Sequence, residues 1–315
     1  MQAEAVTNVL HMDRTEWLKA RKQGLGGSDC GTIMGVNKWK SSFQLFLEKT
    51  GDYIEEIDNE FIYWGNRLED MVAEEFAKRT GKKVRRNNHL LVHPEHDFML
   101  ANLDRVVVGE RALLECKTTS AYNKDQWESD NVPATYLCQI QHYLAVTGYE
   151  KAYIAVLIGG NHFVWKEIPR DDELIEMIIE REKHFWENHV LANNPPPIDG
   201  SPAASEFLNK LYPDDNGETI MLSEEEDKLI DALEHVKAEM KDLEALKKRY
   251  ENELKMKLED STFGVTSLYE VSYKSQVRNT IDSKRLREEM PDIAKKYMKS
   301  SQSRPLKIKK TGGIE

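Results

Sequence analysis

The chain has 315 residues, 40% of them hydrophobic and 31% charged, a mix that buries a core and excludes wholesale disorder. The formal net charge of −11 excludes a uniformly basic, histone-like binder, so any nucleic-acid contact must use a local basic surface. Three cysteines, Cys30, Cys116 and Cys138, form no C-x-x-C pair and argue for a reducing compartment. No apolar run approaches the ~20 residues that span a bilayer. The N-terminal stretch lacks a secretory pattern, so a soluble cytoplasmic protein is expected.

Residues 13–22 read as a short helix, followed by GLGGSDCGTIMG entering another. That glycine-rich stretch fits neither an ATP-binding loop nor G-x-G-x-x-G. Residues 41–50 and 64–80 read as amphipathic helices stopped by Gly51 and Gly81. The period then changes to two. Residues 98–108 and 111–117 read as a strand pair across a tight turn at Gly109-Glu110. A helix over 134–148, strands over 151–158 and 162–168, and a long helix over 171–190 follow. This order predicts an α/β fold, a mixed sheet flanked by helices. His93-Pro-Glu-His96 reads as a loop. Tyr122 and Trp127 are read as packing aromatics ahead of base-stacking ones.

The prolines of NNPPPIDGSP mark a boundary. The expected organisation is a main domain over 1–195, a linker over 196–220 and an extension over 221–315. Within the extension, apolar residues spaced three and four apart over 222–260 predict a helical hairpin or an oligomer contact. Residues 274–310 hold twelve Lys/Arg against four Asp/Glu, a solvated face or a DNA-tracking surface.

The informative segment is NLDRVVVGERALLECK. A two-residue turn sets Val108 against Arg111 and, counting back along the strands, Asp104 against Glu115. Carboxylates so placed repel unless one is protonated or a cation lies between them. Lys117 projects from the same face as Glu115, while Leu114 and Cys116 point the other way. Hard oxygen ligands with an open side suit Mg2+ or Mn2+. Glu69 shares a helix face with Val72, Ala73 and Phe76, which aims this carboxylate toward the core. Gln139 and Tyr143, four apart, share a face of the next helix. The bland reading of Asp104, Glu115 and Lys117 is a salt-bridged surface hairpin.

Together these segments resemble the YqaJ type of lambda-exonuclease-like phage recombination nucleases, a branch of the PD-(D/E)XK, restriction-endonuclease-like superfamily. The resemblance runs over residues ~10–190 through WLKARKQGLGGSD, WGNRLED, ANLD, LECK and QIQHY. Asn102-Leu103 stand where many members carry a proline. The resemblance implies that Asp104, Glu115 and the Cys116 carbonyl hold one Mg2+ or Mn2+, with Glu69 approaching a second ion. It implies that Lys117 orients or deprotonates the attacking water, Gln139 and Tyr143 hold the scissile region, and Arg21 and Ser28 bind a 5′-phosphate. Ser28 also reads as a plain N-cap. The implied activity is 5′-to-3′ resection of duplex ends, leaving 3′ tails for a RecT-type annealing partner, by a homo-oligomer such as a trimeric ring. The competing readings are a structure- or sequence-specific endonuclease and a non-catalytic DNA-end or recombinase-binding adaptor.

Overall fold

The computed structural model describes residues 4–8, 14–51, 60–128, 131–299 and 303–309. The chain divides into two compact units, Met1–Leu211 and Tyr212–Glu315. The first begins with β1 (Glu4–Asn8), α1 (Arg14–Lys22), β2 (Leu25–Gly26), α2 (Gly27–Ile33) and α3 (Ser42–Thr50). The helix expected from residue 13 thus starts, among the described residues, at Arg14. Ser41 caps α3 by accepting from Gln44 N, and Gly51 closes it. Helix α4 (Glu60–Thr80) starts one turn earlier than its apolar spacing suggests.

Next come β3 (Val84–Arg86), β4 (His89–Val92), β5 (Met99–Ala101), β6 (Arg105–Val107) and β7 (Ala112–Thr119). The single strand expected over 98–108 is broken. Its first part pairs with β4 and β2 in one sheet, its second with β3 and β7 in another. Asn102, Leu103 and Asp104 form the crossing between the sheets, which frees them from a regular ladder. The register after the break is the expected one: Arg105 faces Leu114 and Val106 faces Leu113, which continues to Asp104 opposite Glu115. Gly109, at φ +85°, supplies the turn conformation that other residues resist.

Helices α5 (Asp125–Glu128) and α6 (Ala134–Thr147), strands β8 (Lys151–Ile158) and β9 (His162–Pro169), and helix α7 (Asp172–Phe185) complete the second sheet and its flanking helices. The second sheet has the order β3-β6-β7-β8-β9. Only β7 and β8 run parallel, and the crossover between them carries α6. Strand β7 alternates cleanly. Leu114 and Cys116 pack with Val72, Ala73 and Phe76 of α4, whereas Leu113 packs on the side of Ile140 and Leu144 of α6. Glu115 and Lys117 share the parity of Leu113, so the carboxylate enters the α6 side. The fold is the expected α/β class, a mixed sheet flanked by helices.

The helix expected over 171–190 is α-helical only to Phe185 and continues as a π-helical turn over Trp186–Leu191. Residues 202–211, read as linker, instead form helix α8 (Pro202–Leu211). Pro202 opens it, where a missing N–H costs nothing. Ala203, Ala204 and Phe207 are buried, with the Phe207 ring edge-on to Phe43 at 6.3 Å. The first unit therefore runs to Leu211.

The second unit holds α9 (Glu224–Leu258), a hairpin of β10 (Phe263–Val265) and β11 (Glu270–Ser272), α10 (Ser283–Glu289) and α11 (Pro291–Lys296). The segment expected as a possible helical hairpin is one continuous helix. Ser223 and Glu226 form its capping box. The described part of the basic segment is largely exposed. No described helix is long and apolar enough to cross a membrane.

Candidate active site

One cavity is lined by Trp17, Arg21, Ser28, Asp104, Lys117 and Gln139, together with Asn102, Glu115 and Tyr143. Residues far apart in the sequence thus meet because β7, α6 and the β2–α2 turn converge. Two glycines let α2 lie close on α6. A Cβ on Gly27 would sit 2.5 Å from the Tyr143 ring, and one on Gly31 would sit 2.9 Å from Thr135 Cγ2.

Asp104 Oδ2 accepts from the Cys116 N–H at 2.8 Å, pinning this carboxylate across the hairpin. Glu115 is buried, and its Oε1 accepts from Lys117 Nζ at 2.6 Å and from Gln139 Nε2 at 2.7 Å. Gln139 Nε2 also donates to the Tyr143 hydroxyl at 3.1 Å. Burial, then the charge of Glu115, pushes the Asp104 carboxyl up to about 8. Burial opposes the Lys117 charge, but Glu115 and Asp104 outweigh it and raise its pKa above the ordinary value. Lys117 is therefore an ammonium group at neutral pH, a hydrogen-bond donor in the cavity.

Among the described residues two buried side-chain polar atoms lack a hydrogen-bond partner: Glu115 Oε2 and Asn102 Oδ1. Both belong to residues lining this cavity. An unpaired buried carboxylate oxygen is costly. Beside the raised Asp104 carboxyl, it makes a site that a divalent cation with oxygen ligands would complete. Asp104 and Glu115, both lining the cavity, fit that role.

Arg21 and Ser28 also meet as expected. Arg21 Nη2 donates to Ser28 Oγ at 2.7 Å, and its guanidinium lies 4.8 Å from the Trp17 ring centroid. Sequence reasoning missed the residue that holds this corner. Asp29 is buried, accepts from Gly26 N at 3.0 Å and pairs with Lys49 at 2.8 Å. Burial would raise its pKa, but Lys49 and Arg21 hold it well below the usual carboxylate range. The signal was an acidic residue directly after Gly-Gly-Ser.

Glu69 is placed differently from the other carboxylates. It rises from α4, and its Oε1 accepts from Arg105 Nη1 at 2.6 Å. The same nitrogen donates to the Asp104 carbonyl at 2.5 Å, and Nη2 pairs with Asp70 at 2.5 Å. Arg105, buried and adjacent to Asp104 in sequence, was not singled out. Glu69 still acts electrostatically on Asp104, raising its pKa further.

A second cluster brings Cys30, His142 and Glu182 together in the core, with potential ligand atoms within 4.8 Å of one another. His142 uses both ring nitrogens there. Nε2 faces the Leu100 carbonyl at 2.9 Å, which can only accept, and Nδ1 faces Glu182 at 2.8 Å. Burial opposes the charged ring, but Glu182 raises its pKa, so the pair reads as a buried imidazolium–carboxylate strut between α6 and α7. His93 accepts from the Glu95 and His96 amides within a loop. Trp127 is buried and stacks on Tyr136 at 5.6 Å, whereas Tyr122 is exposed.

The fold and cavity define a mixed-sheet α/β protein with a carboxylate–lysine centre built on a β-hairpin. The YqaJ-like viral recombinase domain matches residues 16–150. The chain is 46% identical over 312 residues to the uncharacterized protein YqaJ of Bacillus subtilis (strain 168), covering 98% of each chain. This chain belongs to the YqaJ family. Similar solved structures include an alkaline exonuclease (LHK-Exo) from Laribacter hongkongensis, 20% identical, with a TM-score of 0.48 over 63% of this chain and 100% of that one. A phage related exonuclease from Haemophilus somnus 129PT is 15% identical, with a TM-score of 0.44 over 60% of this chain and 96% of that one.

Proposed function

We propose that this chain is a divalent-metal-dependent DNA nuclease that degrades duplex ends 5′ to 3′ and leaves 3′ single-stranded tails for recombination. The observation that carries the reading is the orphaned Glu115 Oε2 beside Asp104 and Lys117, in one cavity with Arg21 and Ser28. Asp104, Glu115 and the Cys116 carbonyl would hold Mg2+ or Mn2+. Such an ion supplies Lewis-acid charge and lowers the pKa of bound water. A second ion at Glu69 would have to displace Arg105 from that carboxylate.

The protein's own groups then divide the work. Lys117, held as an ammonium, orients the attacking water and donates to a phosphoryl oxygen as negative charge builds. Gln139 fixes Glu115 through Oε1, and Tyr143 fixes Gln139 in turn. The water oxygen forms the new bond to phosphorus, its proton leaves to solvent, and the P–O3′ bond breaks. The leaving O3′ takes a proton from solvent water, so the released mononucleotide gains a 3′-hydroxyl, and the next residue of the strand acquires a 5′-phosphate. Arg21 and Ser28 supply a guanidinium fork and a hydroxyl for that new phosphate. Each cleavage thereby regenerates the group that this corner binds, which favours an end-directed exonuclease over an endonuclease or an adaptor.

Membership of a viral recombinase family supports DNA as the substrate. The proposed reading adds duplex ends, a RecT-type annealing protein as the partner, and action in the cytoplasm as a homo-oligomer. Linear duplex should be consumed in Mg2+, whereas Ca2+, larger and loosely coordinated, should permit binding without cutting. Full digestion in excess EDTA would overturn the proposal.

A further inference from the structure

Helix α9 is 35 residues long, about 52 Å at 1.5 Å per residue. Along one side, positions from Glu226 to Lys257 recur alternately every three and four residues for four heptads. Seven of those ten positions are apolar, including Leu229, Met240 and Leu243, which are 69%, 64% and 65% exposed. Such a seam sustained over four heptads is the pattern of a coiled coil. The three charged seam positions decide what can cover it.

We propose that α9 is a self-association surface, pairing with α9 of a second copy in antiparallel orientation, with Met240 opposite the partner's Leu243 at the two-fold centre. In a parallel pair each seam residue meets its own copy. Glu226, Lys247 and Lys257 would then set like charges together at three core layers. In the antiparallel register Leu233 meets the partner's Tyr250, Leu254 meets the partner's Leu229, and Lys247 meets the partner's Val236. Glu226, at one end, meets the partner's Lys257 at the other. The flanking positions agree. Lys237 lies across from the partner's Glu244, an opposite-charge contact made twice by symmetry. A parallel pair would instead place Glu244 against the partner's Glu239. Charge pairing at flanking positions sets coiled-coil orientation.

The test uses the full-length chain. Sedimentation of the parent should show self-association to a dimer, and a monomer or a trimer overturns the proposal. Glu244→Lys places a lysine against the partner's Lys237 and should raise the dimer dissociation constant roughly tenfold, two exposed pairs being switched from attraction to repulsion. The double variant Lys237→Glu/Glu244→Lys should return it to within about threefold of the parent. A parallel coil predicts the opposite sign for Glu244→Lys, tighter association, because the Glu239–Glu244 repulsion is relieved. Tighter or unchanged association therefore overturns the antiparallel assignment. Independently, chains carrying Leu233→Cys mixed with chains carrying Tyr250→Cys should form a mixed disulfide under mild oxidation. Each variant cross-linking only to itself would mark the parallel arrangement and overturn the proposal. These readouts do not depend on nuclease activity, so failure of this pairing leaves the nuclease reading standing, and the reverse.

Discussion

Replacing Glu115 by Gln should abolish cleavage while making the metal-free protein more stable, and the two effects have one cause. The carboxyl of Asp104 is moved from 3.8 to about 8, by burial and by Glu115. At 1.36 kcal/mol per pH unit, that is on the order of 5 kcal/mol of unfavourable free energy in the folded state at high pH. Because the folded pKa of this acid is raised, the cost grows as pH rises from about 4 and is complete above about 8. Removing the Glu115 charge relieves part of it and loses the Lys117 pair. Lys117 keeps Asp104 as a partner, so the net gain should be on the order of 1 kcal/mol at pH 8–9. Activity should fall by roughly 10²–10⁴-fold, the loss expected when a charged group at a reacting centre is removed. Thermal melts in EDTA and in Mn2+ separate the effects. Mn2+ at about 100 times its dissociation constant should stabilise the parent by about 2.7 kcal/mol. It should leave the variant where it was. A variant less stable than the parent in EDTA, and still stabilised by Mn2+, would refute the reasoning.

Lys117→Ala should fold normally, keep binding Mn2+ in the same melts, and lose at least about 10²-fold in cleavage; parental cleavage rates would remove Lys117 from the mechanism. Arg21→Ala should slow digestion of 5′-phosphorylated ends more than of 5′-hydroxyl ends, and equal slowing would reduce Arg21 to a structural role. Glu182→Gln breaks the buried pair with His142 and should cost about 3–5 kcal/mol. Because the folded His142 pKa is raised, that cost is complete below about pH 6.5 and shrinks as pH rises through the folded value, which urea melts across pH 5–9 would read.

The hairpin centre was legible in the sequence because turn length and strand period together fix register. Gly109-Glu110 and alternating apolar residues were enough to bring Asp104 opposite Glu115 and to put Lys117 beside it. Helix ends were legible where a serine or glycine marked them, as at Ser41, Gly51 and Gly148. The break at Asn102–Asp104 was not legible, since residues 98–108 keep a strand pattern while changing sheets. Glu69 was read from one helix face alone. Its actual partner, Arg105, comes from another element, and no local spacing announces a contact 36 residues away. Asp29 with Lys49, and His142 with Glu182, were hidden for the same reason. The prolines before residue 202 set the expected end of the first domain at residue 195, whereas the first unit runs on through α8 to Leu211, because α8 buries an apolar face that the prolines do not announce.

In the proposed reading one cavity both binds a 5′-terminal phosphate and cuts the linkage beside it. Digestion of linear duplex labelled separately at its 5′ and 3′ ends, alongside covalently closed circular duplex, tests this most directly. With Mg2+, the 5′ label should be released early as a mononucleotide, the 3′ label lost late, 5′-phosphorylated ends attacked faster, and the circle left intact. Cutting of the closed circle, or release of the 3′ label first, would contradict it.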